Sequence, residues 1–481
     1  MNENRKKNNF NDSIKFESFK VIMKKIIFTL IILNFFISSG QSKKIQNLDF
    51  LMKSANEIGI FNGNIIVSQN GKIMYQNELG YTDYSKGKKL NRESTMPIGS
   101  ITKEFNSTGI LFLAEKGKLN LEDKVSTYLT YLPSWASKIQ IKHLLQYTSG
   151  LPRIFKNTDS EYLSELNNVE KLEFEPGTGY IYSNANVFLQ QEIIKKITNL
   201  SYEDFLKTKF FKKLKISGGK IPKDSTLTVN MAGSFDNDFK ETTFIHGGGE
   251  MYFSITDLYN WVSNLQNKKI VNKNSINILA KSFDKNSESS LGNTIIENNK
   301  VVEHSHQGSG NNYESNVYYE SKNKTIIVLI TNNQNFKLSA ITESILNILA
   351  DKPFTIPKKS IYLDIRGKLL DNFQNGISFY EQIKSSQKEK YDFSSEFEDL
   401  INTGKYLMRR KRFEDAIKVF ELSTTIDLKN STGISSSYSF IGECYDKMKK
   451  SDLAIIYLKK ALDFDAKNKN AEEMLKRIEN K

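Results

Sequence analysis

Apolar and polar residues alternate in two runs that begin at residue 61, and this pattern predicts a β-hairpin. The runs 61–69 and 72–79 are joined by Asn70-Gly71, a dipeptide that favours a tight turn between antiparallel strands. Four more runs of β-forming residues, which predict further strands, occur at 294–296, 300–304, 313–320 and 325–331.

Apolar residues at helical spacing fill the chain around these runs. They predict helices over 45–60, 186–197, 254–261 and 338–350. Ser254 is expected to cap its helix, because Asp257 three residues later nearly completes a capping box. Strands at both ends with helices between them predict an α+β fold, in which N-terminal and C-terminal segments complete one sheet.

The composition fits a globular protein of two or three domains. The chain has 481 residues, of which 38% are hydrophobic and 26% are charged. The net charge of +13 is spread along the chain without a basic block or a zinc pattern, so no nucleic-acid partner is predicted. Because Cys444 is the only cysteine, an intramolecular disulfide and a thiolate metal cluster are excluded.

The first forty residues contain the three parts of a secretory signal peptide. Met23-Lys24-Lys25 is a basic start, residues 26–37 are an apolar run, and Ser38-Ser39-Gly40 provides a cleavage site. Residues 1–40 are therefore predicted to be a signal region with its true start at Met23. The expected protein is exported, periplasmic or secreted, and has no transmembrane segment after cleavage. An uncleaved anchor is the alternative, although the apolar run is short for a membrane span.

One serine is placed by a loop at the start of a predicted helix, with a lysine one turn further on. The stretch reads Pro97-Ile98-Gly99-Ser100-Ile101-Thr102-Lys103-Glu104-Phe105. Residues three apart share a helix face, so the Lys103 amine can reach the Ser100 hydroxyl. A neutral amine at that distance can take the serine proton and produce a nucleophile. Backbone N–H groups at the helix start favour an oxyanion at the same place.

The pattern Ser-x-x-Lys is weak by itself, because this lysine-rich chain repeats it elsewhere. Other copies, most of them expected to be surface accidents, begin at Ser85, Ser217, Ser282, Ser321 and Ser385. Ser100 differs from them because an apolar stripe continues from it at helical spacing to Phe112, and Lys116-Gly117 supplies a stop.

Two further stretches carry residues suited to a cleft. Residues 175–184 form a tight loop before a helix, and Tyr182 and Asn184 stand at that junction; an ordinary turn with a buried tyrosine is the alternative. The second stretch is His306-Gln307-Gly308-Ser309-Gly310. His304 and His306 beside Glu303 offer a metal pair without a further ligand, so neither a metal nor another cofactor is predicted. His143, alone in a short helix, is expected to pack or cap.

Beyond Pro357 the composition shifts to charged helix, and a pattern repeats. Two triplets stand at the same displacement from each other, Gly404, Ala416 and Phe420 and then Gly442, Ala454 and Leu458. This resembles a tetratricopeptide repeat. Two copies and a capping helix over 470–478 bury a small core only against a docking surface. The tail is predicted to bind a protein partner or peptide, or else to be a stabilising appendage.

Together these motifs resemble the serine β-lactamase and penicillin-binding protein family, and within it the branch of class C β-lactamases, D-aminopeptidases and esterases. The three motifs are Ser100-Ile101-Thr102-Lys103, Tyr182-Ser183-Asn184 and His306-Gln307-Gly308. Flanking phrases agree at Ile98-Gly99, 143–151, Pro176-Gly177 and 248–258. The resemblance covers 45–350 with the motifs in the right order.

The resemblance implies a β-lactamase/transpeptidase-like fold, with an antiparallel sheet flanked by helices and an all-helical domain, before a repeat tail. The domains expected on this basis are a signal region 1–40, a hydrolase domain 45–350, a linker 351–390 and helical repeats 391–481.

The resemblance also implies acyl transfer and assigns roles. The residues are the nucleophile Ser100, the base Lys103, the proton relay Tyr182, Asn184 to orient Lys103 and a substrate amide, and His306 beside Tyr182 or a substrate carboxylate. The oxyanion hole is expected from the N–H groups of Ser100 and Ser309, with Gly308 next to them on the edge strand.

Two departures from the family pattern matter. A histidine, His306, replaces the lysine of the third motif, and this counts against β-lactam turnover because that lysine holds the antibiotic's carboxylate. Asn312 stands before Tyr313 where relatives have a glycine, and it is expected to adopt the left-handed conformation.

The leading hypothesis is an exported serine hydrolase of the β-lactamase, D,D-peptidase and esterase type. Its substrates would be D-amino-acid peptides, β-lactam-like compounds or small esters, including compounds derived from the cell wall. The alternative is a non-catalytic, penicillin-recognising envelope protein whose tail binds a protein partner. The complete set of Ser100, Lys103, Tyr182 and Asn184 favours the enzyme.

Overall fold

The fold is that of a computed structural model, which describes residues 42–83, 85–154, 156, 158–219, 230–234, 251–310 and 312–479. The predicted signal region 1–40 and the glycine-rich residues 247–249 lie outside these ranges. Across the described ranges, no helix combines the length and the apolar character that crossing a membrane requires.

Ten strands occur in the described residues. In chain order they are β1 Gly63–Gln69, β2 Lys72–Leu79, β3 Met96–Pro97, β4 Tyr252–Phe253, β5 Asn293–Glu297, β6 Lys300–Gly310, β7 Tyr313–Glu320, β8 Thr325–Thr331, β9 Lys359–Ser360 and β10 Tyr391–Asp392. Six of them form one antiparallel sheet in the order β2-β1-β8-β7-β6-β5. Because β1 pairs with both β2 and β8, N-terminal and C-terminal segments complete the sheet, as predicted.

The predicted hairpin joins β1 to β2. Asn70 and Gly71 have φ values of 51° and 77°, and two successive positive φ values are what a type I′ turn requires. The right-handed twist of the strands therefore continues through the turn.

Helices cover both faces of the sheet. They are α1 (42–57), α2 Thr102–Glu115, α3 Val125–Tyr128, α4 Ile141–Leu145, α5 Asp159–Asn167, α6 Asn184–Thr198, α7 Tyr202–Leu206, α8 Lys212–Leu214, α9 Ile255–Gln266, α10 Lys273–Leu279 and α11 Leu338–Leu349. A π-helical stretch, Lys207–Phe211, joins α7 to α8. Two caps were predicted correctly: Ser254 accepts the N–H of Asp257 at 3.1 Å, and buried His143 accepts the N–H of Gln140 through Nδ1 at 3.1 Å.

Alternate side chains of the strands enter two cores. On β1, Ile65 and Val67 face the layer formed by α1 and α11, whereas Ile66 faces the larger layer that contains α2 and α9. The alternation has the period of two that a sheet with both faces buried requires. The α+β fold predicted from the sequence is therefore confirmed, with helices on both faces of the sheet.

The C-terminal region is a separate helical layer. Its helices are α12 Ile361–Asp371, α13 Phe373–Ser386, α14 Glu396–Arg409, α15 Phe413–Ser423, α16 Ser431–Lys447, α17 Ser451–Phe464 and α18 Lys469–Glu479. The stretch 351–390, expected to be a linker, instead contains α12 and α13. The reason is an apolar stripe on α12, whose Ile361, Ile365 and Leu369 are buried in one core with residues of α14, α15 and α16.

The two repeated triplets occupy equivalent places in this layer. A Cβ added to Gly404 would lie 2.4 Å from the ring of Phe420, and one added to Gly442 would lie 2.7 Å from Cγ of Leu458. In both helix pairs a glycine on the first helix therefore admits a large apolar residue of the second. The same packing at both places explains the repeated sequence pattern.

Two ion pairs tie the ends of the sheet region together and to the tail. Lys44 donates to the Leu349 carbonyl at 2.7 Å and pairs with Asp351 at 2.8 Å, so α1 and the end of α11 lie side by side. Lys337, at the start of α11, pairs with Asp392 of the tail at 3.2 Å.

Candidate active site

Ser100 and Lys103 lie within hydrogen-bond distance. Ser100 belongs to a 3₁₀ turn, Gly99–Ile101, that runs directly into α2. The Lys103 amine donates to the Ser100 hydroxyl with 3.1 Å between Nζ and Oγ. The predicted proximity of the two side chains therefore holds, and the turn explains it, because both residues lie on the same face at the start of one helix.

Tyr182 completes the group from the loop before α6. Its ring lies 5.0 Å from Lys103 Nζ, measured to the ring centroid, and its hydroxyl group is hydrogen-bonded with Ser100. Burial raises the pKa of Tyr182 well above its usual range, the bond with Ser100 lowers it, and the charge of Glu288 raises it further. Buried Tyr147 packs against the ring with 5.0 Å between centroids, so the phenol is held in place from behind.

These side chains border a cleft of about 380 Å³. Both polar and aromatic groups line it. The lining residues are Ser100, Tyr180, Tyr182, Asn286, Glu288, Gln307, Gly308, Ser309, Glu314 and Phe336. A serine, a phenol and a strand backbone in one concave site are what acyl transfer needs.

The backbone of strand β6 lies against the two residues that precede Ser100. A Cβ on Gly308 would lie 1.9 Å from the Ile98 carbonyl oxygen, and one on Gly99 would lie 2.4 Å from the Ser309 nitrogen. Gly99 also has a φ of +52°. Both positions therefore need glycine, and this close approach brings the Ser309 amide next to the start of α2, where an oxyanion hole is expected.

The position of β6 within the sheet differs from the prediction. The outermost strand is β5, but its pairing with β6 ends at Ser305. Residues 306–310 of β6 therefore extend past the end of β5. Over that stretch β6 lies against Ile98 and Gly99 instead of β5, and Gly308 and Ser309 line the cleft there.

Asn184 lies at the first position of α6, one residue after the N-cap Ser183, and is exposed. The hydrogen bond of Lys103 described above is the one to Ser100 Oγ. The expectation that Asn184 orients Lys103 therefore stays a prediction.

His306 is buried beneath the cleft and has a different partner from the one expected. Its Nδ1 is 2.9 Å from Glu104 Oε1, and the same oxygen is 2.8 Å from His304 Nε2. Because His306 sits on the face of β6 that packs on α2, its ring reaches Glu104 and is not among the groups that line the cleft. The expected role of His306 beside Tyr182 or a substrate carboxylate stays a prediction.

Glu104 is the centre of a buried polar set. Its carboxylate is fully buried and accepts N–H bonds from His304, His306 and, at 3.0 Å, from Trp261 Nε1. Gln266 in turn bonds to His304 Nδ1 at 3.1 Å. Burial works to raise the pKa of Glu104, but the charges and hydrogen bonds of the two histidines outweigh it and lower the pKa to about 2.

The same three side chains are the candidate metal ligands. Their donor atoms lie within 4.8 Å of one another, and the third member is Glu104 rather than Glu303, which the sequence had placed beside the histidine pair. The distances of 2.8 and 2.9 Å to one oxygen are those of N–H···O bonds. A closed hydrogen-bond set, in which each N–H has an acceptor, accounts for the arrangement.

Three carboxylates near the cleft were not identified from the sequence. Glu104 had one available signal: it stands in a helix that is buried on nearly every side, where a charged group needs partners. Glu314 lines the cleft, and burial raises its pKa to about 6 against N–H bonds from Phe336 and Asn335. Glu288 follows an irregular segment that carried no pattern.

One prediction about the end of β6 is confirmed. Asn312 has a φ of +68°, the left-handed conformation that glycine adopts most readily and asparagine tolerates. An asparagine therefore adopts this conformation before β7 without a glycine.

Comparison with known proteins gives two family matches. The model of the family described as beta-lactamase matches residues 48–350, and that of the tetratricopeptide repeat matches residues 435–468. The first covers more than half of the chain and contains every cleft residue named above. The second covers α17 and most of α16.

Curated relatives are penicillin-binding proteins and related hydrolases. Penicillin-binding protein 4* of Bacillus subtilis is 33% identical over 183 residues, which are 36% of this chain and 40% of that protein. Teichoic acid D-alanine hydrolase of Staphylococcus aureus is 25% identical over 260 residues, which are 51% of this chain and 64% of that protein. The matched regions thus span less than two thirds of either relative.

Solved structures share the fold at lower identity. The octameric penicillin-binding protein homologue from Pyrococcus abyssi has a TM-score of 0.55 and 22% identity, over 68% of this chain and 81% of that one. The D-amino acid amidase from Ochrobactrum anthropi SV3 has a TM-score of 0.54 and 18% identity, over 64% of this chain and 98% of that one. The family match and this shared fold together show that the chain belongs to the beta-lactamase family and carries a tetratricopeptide repeat at its C-terminal end.

Proposed function

We propose that the protein is an exported serine hydrolase that cleaves ester or amide bonds through an acyl-enzyme on Ser100. The observation that carries this proposal is the 3.1 Å contact between Lys103 Nζ and Ser100 Oγ at the wall of the cleft. Export rests on the basic start, apolar run and small residues of 23–40.

The acylation step uses the pair on α2. Lys103, as the neutral amine, takes the proton of Ser100 while Oγ attacks the substrate carbonyl carbon. The carbonyl π pair moves to oxygen, and the N–H groups of Ser100 and Ser309 stabilise that oxyanion. Each such donor is worth about 10²–10³ in rate in other hydrolases.

The leaving group departs as the tetrahedral intermediate collapses. Tyr182, which is hydrogen-bonded with Ser100, transfers a proton to the leaving oxygen or nitrogen, and the proton held by Lys103 restores the phenol. A raised pKa keeps Tyr182 in its protonated form, which suits a proton donor. Deacylation repeats these steps in reverse order with water as the nucleophile.

The substrate class proposed is D-aminoacyl esters and amides and small esters. Its support is the kinship with proteins named as a teichoic acid D-alanine hydrolase and a D-amino acid amidase. The turnover of β-lactams is not part of the proposal, because the third motif has a histidine that contacts Glu104. Binding of a protein partner by the repeat tail stays a prediction.

Active-site labelling tests the nucleophile. A fluorophosphonate should modify Ser100, and mass mapping of the adduct should locate it there. Ser100→Ala should abolish labelling, whereas Ser385→Ala, which changes another Ser-x-x-Lys copy in α13, should leave it unchanged. Labelling that persists in Ser100→Ala would overturn the assignment.

The pH dependence of hydrolysis tests the base. Lys103→Met should reduce kcat by about 10²–10⁴, the range for loss of a general acid–base group. In the native protein kcat/KM should rise with pH, because only an unprotonated amine can accept the serine proton. A profile without an ascending limb, together with near-normal kcat in Lys103→Met, would exclude an amine base.

A further inference from the structure

The cleft holds one carboxylate that the mechanism above does not use. Glu288 lies between α10 and β5, half-buried, and lines the cleft together with Ser100 and Tyr182. Its backbone N–H donates to the Tyr180 hydroxyl at 3.2 Å. This bond ties the segment that carries Glu288 to the loop that carries Tyr182.

The charge of Glu288 affects two tyrosines of the cleft, Tyr182 and Tyr180. It raises the pKa of Tyr182 in addition to the effect of burial. It also adds to the burial that raises the pKa of Tyr180 to about 12. The geometric basis is the cleft itself, because Glu288 lines the same cavity as Ser100 and Tyr182.

Among the described residues that line the cleft, none is a lysine or arginine that could pair with Glu288. Lys103 belongs to the Ser100 pair, and Arg153 influences Tyr180 from outside the cleft lining. The other cleft carboxylate, Glu314, already accepts the N–H of Phe336 at 2.8 Å. A half-buried carboxylate beside aromatic rings is a good binding site for a cation. The cation forms charge-assisted hydrogen bonds with the carboxylate and also contacts the faces of the rings.

We propose that Glu288 recognises an ammonium group next to the scissile carbonyl, so that unblocked aminoacyl esters and amides are preferred to N-acylated ones. The α-ammonium is the cation that lies nearest to a scissile carbonyl, and a cleft of about 380 Å³ admits a small acyl group. The inference rests on the proposed function, since Ser100 must attack that carbonyl.

A pair of substrates that differ at the α-nitrogen, which is a free ammonium in one and a neutral acetamide in the other, tests the inference when it is combined with a Glu288 variant of unchanged size. D-alanyl p-nitroanilide carries the α-ammonium, and N-acetyl-D-alanyl p-nitroanilide does not. In the native protein kcat/KM should favour the free amine by at least about tenfold, as expected for a bond to a charged group. Glu288→Gln should remove most of that preference. Glu297→Gln on exposed β5 is the matched control and should keep it.

The outcomes separate this inference from the proposed function. Equal turnover of both substrates by the native protein, or an unchanged preference in Glu288→Gln, overturns the role of Glu288 while Ser100 catalysis stands. Failure of the fluorophosphonate to label Ser100, with neither substrate cleaved, overturns both. A preference that Glu288→Gln lowers about tenfold, and Glu297→Gln does not change, supports the inference.

Discussion

Replacing Glu104 by glutamine tests whether the buried set under the cleft is a hydrogen-bond network that holds β6 on α2. The carboxylate accepts three N–H donors, from Trp261, His304 and His306. A glutamine has one acceptor oxygen and one NH₂ group. In one orientation the NH₂ group faces the Trp261 N–H, and in the other it faces both histidines, so one or two of the three donors lose their acceptor and the NH₂ group itself is unsatisfied.

The cost follows from that count. An unsatisfied buried donor costs about 1–3 kcal/mol, so Glu104→Gln should lower the free energy of unfolding by about 3 kcal/mol at neutral pH. For a region of this size the free energy of unfolding falls by about 3 kcal/mol for each molar of urea. The urea midpoint should therefore fall by about 1 M.

Tryptophan fluorescence reports the unfolding of the core that contains Glu104. The protein has two tryptophans, Trp135 and Trp261, both buried in the core around α2. Trp261 also stacks on Phe105 at 3.7 Å. The matched control is Glu115→Gln at the exposed end of the same helix. One Glu115 oxygen accepts from Asn272 N and Ser275 Oγ, and a glutamine oxygen can accept both bonds, so the free energy of unfolding should change by less than about 1 kcal/mol.

The acid dependence gives an independent measure of the same network. The pKa of Glu104 is about 2 in the folded protein against a usual 4.5. Its ionisation therefore stabilises the fold above about pH 4.5, and this stability is lost as the pH falls towards 2. The loss amounts to about 3 kcal/mol, and Glu104→Gln should not show it. A midpoint within about 0.2 M urea of the native protein, with an unchanged acid limb, would refute the network.

Three more predictions concern other sites. The pKa of Glu314 is raised to about 6, so the folded state holds its proton more tightly than the unfolded state does. The free energy of unfolding should therefore fall by about 2 kcal/mol as the pH rises from about 4.5 to 6. Thermal unfolding of Glu314→Gln should lack this pH dependence. Gly99→Ala should reduce kcat/KM by about 100-fold, because its Cβ would lie 2.4 Å from the Ser309 nitrogen. Gly117→Ala, also at positive φ but in open space, should cost only about 1 kcal/mol and leave hydrolysis intact. Gly442→Val should destabilise the tail by about 1–3 kcal/mol, seen as faster amide exchange in 431–464, with hydrolysis unchanged; normal exchange there would contradict the glycine packing.

Local sequence patterns were enough to predict the fold and the serine–lysine pair. The turn at Asn70-Gly71 and the contact of Ser100 with Lys103 depend on neighbours along the chain, so spacing determines them. Strand patterns near both ends of the hydrolase region also predicted that N-terminal and C-terminal segments form one sheet. These features need no knowledge of distant contacts.

The missed features depend on contacts between distant segments. Glu104 and His306 are two hundred positions apart in the sequence, and only the packing of β6 on α2 brings them together. The same packing gives His306 a partner, Glu104, that its motif does not indicate. Glu288 lies on an irregular segment, where no periodicity shows which way a side chain points. In the tail, α12 and α13 were taken for a linker because their charge content hid a narrow apolar stripe.

The contact of Lys44 with Leu349 and Asp351 has a consequence for how this fold can be rearranged. Since the polypeptide enters and leaves the hydrolase region at neighbouring points, a short glycine-rich bridge can join residues 44 and 351. New termini can then be opened at the Asn70-Gly71 turn without crossing the sheet. The C-terminal helices would be removed in such a protein, together with the Lys337–Asp392 ion pair.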